Sequence, residues 1–194
     1  MEHDSSVDIR ERLIIAGIQE LEMVGVQNLS LRRVASACSL SSGAPYKHFV
    51  DKDAFILAIV DYLRKLWFEK QDQIIERFPN NPRAQIIEIC IAHCDMFIKY
   101  PYLLDLKLFR YESAGRQNYC KVPELSAMAC EKLEEYFRIA GIEQDDEVRR
   151  IRFAVRSIVT GTAMMLRCGD FPDNTASRQH IRKLIEHEFP NINM

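Results

Sequence analysis

Apolar residues recur at helical spacing through nearly all of this 194-residue chain, and few breakers interrupt them. The first run sets Ile14, Ile18 and Leu21 at i, i+4, i+7, with Glu11, Arg12, Gln19, Glu20 and Glu22 between, and Gly25 as a helix stop. Ser30 caps a short helix through Leu31, Val34, Ala35 and Cys38. The run Ser39-Leu40-Ser41-Ser42-Gly43 supplies turn chemistry, and a second short helix carries Ala44, Tyr46, Lys47, His48 and Phe49. Pro45 falls near the fourth position of that helix, where distortion is small. Asp51 caps a long helix over about 52–78, closed by Pro79-Asn80-Asn81-Pro82.

Beyond that breaker the same periodicity predicts helices over 83–99 and 101–111 and a polar loop over 113–121. A helix from Pro123 to Ala140 follows, then one over 146–168 stopped by Gly169, then one over 175–189 ended by Pro190. No strand pattern or internal repeat is visible, so the expected fold is all-α with about nine helices.

Composition removes several function classes. No run approaches the roughly 18 apolar residues of a membrane span, so no membrane partner is expected. The polar Met1-Glu2-His3-Asp4 start carries no signal-peptide pattern. The six cysteines are therefore expected as reduced thiols in a cytoplasmic protein. No P-loop, dinucleotide-binding glycine fingerprint, His-Glu-x-x-His or Gly-x-Ser-x-Gly is present, so neither an enzyme nor a cofactor is expected. The net charge of −2 excludes a protein that coats nucleic acid by bulk charge.

Charge is nevertheless local. Residues 26–52 hold Arg32, Arg33, Lys47 and Lys52 against the single Asp51, a net of +3. Residues 1–25 hold two arginines against six acids, a net of −4, and the rest of the chain is nearly neutral. The positive window coincides with two short helices joined by a tight turn, the arrangement of a helix-turn-helix reader.

The run Ser30-Leu31-Arg32-Arg33-Val34-Ala35, then Ser39 through Phe49, then Asp51-Lys52-Asp53-Ala54-Phe55, closely resembles the N-terminal DNA-binding domain of the TetR family of transcriptional regulators. Leu13-Ile14, Ala16-Gly17, Leu21 and Gly25 match the preceding helix of that domain, so the resemblance covers about 45 residues. Ser39 departs from the family, which often has glycine in the turn. The resemblance implies a DNA-binding domain over 1–52 and a helical effector-binding and dimerisation domain over 53–194.

It also implies residue roles. Ser41, Ser42 and Gly43 open the recognition helix and suit phosphate oxygens, as do Tyr46, His48 and Lys52. Ala44, Pro45 and Lys47 approach base edges, and Ser30 and Arg33 are further phosphate candidates. The expected partner is a double-stranded palindromic operator bound by a homodimer that acts as a repressor.

In the body, Ile151, Val155, Ile158, Thr162 and Met165 repeat at coiled-coil spacing beside a small-residue ridge of Ala154, Ser157 and Gly161. With Ile181, Leu184 and Ile185 of the last helix they are the expected dimer interface. Trp67, Phe68, Cys94, Phe97, Phe109, Met128, Phe137, Phe153 and Met164 are candidates to line a pocket for a small, mainly apolar or aromatic effector.

Two alternatives stand beside this reading. Cys90, His93 and Cys94 share a helix face and offer soft ligands for a thiol- or metal-responsive regulator. A helical ligand-binding adaptor that does not use DNA is the other.

Overall fold

The structure, a computed structural model, describes residues 8–104 and 127–191, without the side chains of Ala127 and Met128. Every regular element among the described residues is helical: α1 Ile9–Asn28, α2 Leu31–Ala37, a 3-10 turn Pro45–Lys47, α3 Lys52–Arg77, α4 Pro82–Lys99, α5 Ala127–Ala140, α6 Asp145–Cys168 and α7 Thr175–Glu188. The all-α fold is as expected. Tyr102, Leu103 and Leu104 begin the helix expected over 101–111. Its remainder, the 113–121 loop and the start near Pro123 lie outside the described residues.

Local chemistry sets the element ends. Asp8 accepts from the Arg10 N–H at 3.2 Å, Asp51 from Ala54 at 2.7 Å, Asn81 from Ala84 at 3.0 Å and Asn174 from Ser177 at 3.0 Å. Gly169 ends α6 in the left-handed conformation, φ 79°. Gly25 stops the run of helical geometry, as expected, at φ 72°, ψ 173°; the short piece from Val26 to Asn28 lies beyond that kink.

The described residues divide into two compact units, with the division inside α3 between Lys65 and Leu66. In the first unit, Leu13, Leu21, Val34, Ala35, Phe49, Phe55 and Ile59 form the core where α1, α2 and the start of α3 meet. In the second unit α4 is central, and α5, α6 and α7 all pack on it. Ile86, Ile89, Phe97, Tyr136, Ile151, Val159, Ala163, Ile185 and Phe189 are buried there.

Directional bonds lock α7 in place. Arg182 grips Glu88 of α4 through two nitrogens, at 2.6 and 3.1 Å, and Arg178 pairs with Asp95 and Asp173. The Tyr136 hydroxyl donates to the Pro190 carbonyl at 2.9 Å. No helix of the described residues is long and apolar enough to cross a membrane.

Candidate nucleic-acid interface

The segment between α2 and α3 is a tight turn followed by a tight helix. Cys38 closes α2, and the Leu40 N–H returns to the Ala35 carbonyl at 2.9 Å. Ser39 makes the corner at φ 59°, the left-handed region that favours glycine, as its place in the turn led one to expect.

The expected second helix is then shorter and tighter than a full α-helix. Ala44 bonds back to Ser41, Tyr46 to Gly43, Lys47 to Ala44 and His48 to Pro45, all i to i+3. Only Phe49 makes an i+4 bond, to the Pro45 carbonyl. Pro45 is the physical reason: it lacks the N–H that would close the first α-turn, so the segment winds as a 3-10 helix around it.

Burial sorts the expected contact residues. Ser41, Ser42, Gly43, Tyr46, Lys47 and His48 are exposed, and Ala44 is half-buried. Pro45 is buried, so it faces the core and not a base edge. Phe49 is buried as expected, edge-on to Phe55 at 4.8 Å. Those two apolar residues pin the turn from beneath while the polar ones face outward.

The flanking cations are held by main-chain carbonyls. Lys52 Nζ donates to the Gln27 carbonyl at 3.0 Å. Arg33 pairs with Glu20, a buried carboxylate, and donates to the Asn28 carbonyl. The Ser30 hydroxyl accepts from the Arg33 N–H at 3.4 Å, so Ser30 serves as the α2 cap. Arg33 and Lys52 thus close over the carbonyls that the α1 terminus leaves open. Arg32, which the motif did not single out, is exposed and makes no ion pair among the described residues. Its signal was the Ser30 cap, which places Arg32 on the outer side of α2.

Residues 13–59 match the family described as bacterial regulatory proteins, tetR family. The chain carries a TetR-family N-terminal domain. A 79-residue stretch, 41% of the chain, is 28% identical to YerO of Bacillus subtilis (strain 168), an uncharacterized HTH-type transcriptional regulator, and spans 27% of that protein's length. Over the whole fold, a protein of unknown function from Rhodococcus sp. RHA1 superposes with a TM-score of 0.73 at 21% identity, covering 97% of each chain. The TetR-family regulator PfmR of Thermus thermophilus superposes with a TM-score of 0.64 at 19% identity, covering 94% of this chain and all of PfmR.

The residues expected in the body of a TetR-type regulator separate into two groups. Trp67, Cys94, Phe97 and Phe137 are buried, and Phe68 is half-buried. Trp67, His93 and Phe97 form a tilted ring stack, with centroids 5.0 Å and 4.6 Å apart. Phe153 and Met164 are not brought to that stack; they are 76% and 45% exposed on the outer side of α6. Phe109 and the side chain of Met128 lie outside the described residues. A cleft of about 530 Å³ opens elsewhere, lined by Asn80, Asn81, Arg83, Glu135, Ile139 and Asn191 among others.

The expected dimer stripe is also divided. Ile151 and Val155 are buried, and the buried row continues to Val159 and Ala163, at i+4 steps, into the chain's own core. Ala154, Ile158, Gly161 and Thr162 are half-exposed, and Ser157 and Met165 are exposed. In α7, Ile181 and Ile185 are buried while Leu184 is 55% exposed. A β-carbon placed on Gly161 would meet nothing within 4 Å, so the small-residue ridge is not filled by the described residues.

Cys90, His93 and Cys94 do share one buried face of α4. Burial pushes both thiols up, with Cys94 reaching about 12 and the nearby Asp95 carboxylate adding to the effect. Both are thereby held as neutral thiols at neutral pH, with the thiolate disfavoured by burial. Among the described residues no group of three His, Cys, Asp or Glu side chains is placed to hold a metal ion.

Proposed function

We propose that this chain is a transcriptional repressor that binds a palindromic operator as a homodimer and is released by a small, mainly apolar or aromatic effector. The observation that carries the reading is the outward row of Ser41, Ser42, Gly43, Tyr46, Lys47 and His48 on a turn pinned from beneath by Pro45 and Phe49. Hydroxyls, a phenol, an imidazole and an ammonium in one exposed segment are the groups that meet phosphates and base edges.

In this reading residues 1–52 read DNA and residues 53–194 sense the effector and dimerise. Ser41, Ser42, Tyr46 and His48 meet phosphates, and Lys47 reaches guanine O6 or N7. Lys52 and Arg33 line the same edge from their carbonyl anchors. The open face of α6 supports pairing of two subunits, because an apolar and small-residue face of that length otherwise stands in water.

Binding of a duplex taken from upstream of the chain's own coding region, followed by fluorescence anisotropy, tests the reading. The wild type is expected to bind with a modest salt slope set by few phosphate contacts per subunit. The Tyr46→Ala, Lys52→Ala double variant is expected to lose that affinity. Unchanged affinity in the double variant overturns the DNA assignment and returns the chain to a ligand-binding adaptor.

A further inference from the structure

Gln71 stands on α3 one helical turn beyond Trp67, fully buried at 0% exposure. Neither its Nε2 nor its Oε1 has a hydrogen-bond partner among the described residues. A primary amide brings two N–H donors and an oxygen with two lone pairs, and a buried, unpaired amide is costlier than a typical hydrogen bond is rewarding. Native proteins pair nearly all such groups, so the exception asks for a cause. Gln85, also buried, is answered on one side: its Nε2 donates to the Phe78 carbonyl at 2.9 Å while its Oε1 has no partner among the described residues, whereas Gln71 lacks both.

The setting of Gln71 narrows what can pair with it. Trp67, one turn away on the same face, belongs to the Trp67–His93–Phe97 ring stack. Ile74, the next residue on that face, is buried and apolar. The raised thiols of Cys90 and Cys94 mark the α4 core that carries this stack as hostile to charge.

We propose that Gln71 is the polar recognition element of the effector site, and that the effector is a neutral, flat aromatic molecule carrying one amide-like group. That group pairs donor to acceptor with the Gln71 amide while its ring joins the Trp67–His93–Phe97 stack. This rests on the effector reading given above. A carboxylate would answer only the Gln71 donors and bring a charge into an apolar core, and a hydrocarbon would answer neither side of the amide. Gln71 is enclosed by its packing, so entry of a ligand parts the surrounding side chains. The parted state is favoured only by a ligand that supplies the missing bonds, which is the differential binding a switch requires.

Trp67 is the single tryptophan of the chain, so its fluorescence reports on this place alone. Benzamide serves as the amide probe, with toluene and benzoate as hydrocarbon and charged controls, titrated against the full-length protein without DNA. Benzamide is expected to change Trp67 emission saturably, and toluene and benzoate to need at least about tenfold more for the same change. Gln71→Met is expected to fold with an unchanged or higher Tm, to weaken benzamide at least about tenfold and to leave toluene unaffected. Where Gln71→Met does not fold, Gln71→Asn, which withdraws the amide by one methylene, is expected to show the same loss.

No saturable response to benzamide, or equal benzamide affinity in the wild type and the folded variant, overturns the proposal. A saturable, Gln71-dependent response with operator affinity unchanged upholds the Gln71 site and overturns only release by the effector. Loss of the DNA assignment itself is read separately, in the anisotropy measurement.

Discussion

Gly17 of α1 lies against the ring of Phe55 of α3 so closely that a β-carbon on Gly17 would stand 2.7 Å from Phe55 Cε1 and 2.8 Å from Ile59 Cδ1. The ring has little room to retreat, since Phe49 packs edge-on against it at 4.8 Å. Overpacking of this kind costs about 1–3 kcal/mol. That outweighs the gain of about 1 kcal/mol that alanine has over glycine in a helix. Gly17→Ala is therefore expected to lower the urea midpoint, and adding Phe55→Leu to recover part of the loss. Strict additivity of the two substitutions would show that they do not touch.

The exposed phenol of Tyr46 and ammonium of Lys47 are expected to act differently if the proposed DNA reading holds. In the proposed reading Tyr46→Phe would remove one phosphate bond and should weaken binding to all duplexes alike, by about two- to tenfold. Lys47→Ala should flatten the preference among operator variants, erasing about 1–3 kcal/mol of discrimination at one base pair. Parallel anisotropy titrations against a set of single-base operator variants separate the two effects.

Pairing through α6 makes a separate prediction. Ser157 and Gly161 sit on its open ridge, where a long cation has no place against a second copy. The wild type is expected to sediment as a dimer at micromolar concentration and Ser157→Arg as a folded monomer. A wild-type monomer at that concentration refutes the interface.

The cysteines are expected to split by burial. An aromatic disulfide reagent at pH 8, applied in a Cys120→Ser background, should label the exposed Cys130 and Cys168 and spare the buried Cys38, Cys90 and Cys94. For Cys94, held near 12, the thiolate is scarce even at pH 9. Rapid labelling of Cys94 in the native protein would reopen the thiol-sensing reading.

Asp173 gives the clearest acid dependence. Its hydrogen bond from Arg178 holds the carboxyl below the usual aspartate range. A depressed native pKa stabilises the fold above the unfolded value of about 4, and the contribution fades as pH falls through the native one. The pair is largely exposed, so at pH 7 it is worth under about 1 kcal/mol. The stability gap between the wild type and Asp173→Asn, read by urea titration, is expected to close as pH drops below about 4.

The course of the helices was readable because caps and breakers act locally. Ser30, Asp51, Asn81 and Gly169 each do in the structure what their chemistry suggests. Pro45 was harder, since it opens a 3-10 turn as its first residue instead of sitting inside a longer helix. Periodicity placed Trp67, Cys94 and Phe97 in apolar surroundings but could not choose between the two faces of α6. That helix is apolar on the inner row Ile151, Val155, Val159, Ala163 and again on the outer side at Phe153 and Met164. A one-dimensional pattern cannot say which of two apolar faces meets its own core. The unpaired amide of Gln71 left no trace in the sequence, because only the packed neighbours reveal that nothing answers it.

Of the residues from Ser41 to His48, only Pro45 is buried; the turn is held by its own i to i+3 bonds and by Pro45 and Phe49 beneath it. The outward side chains therefore contribute little to folding. Ser42, Tyr46, Lys47 and His48 can be exchanged at small cost in stability. Evolution, or a designer, can alter the outward chemistry of this segment while the scaffold beneath stays the same.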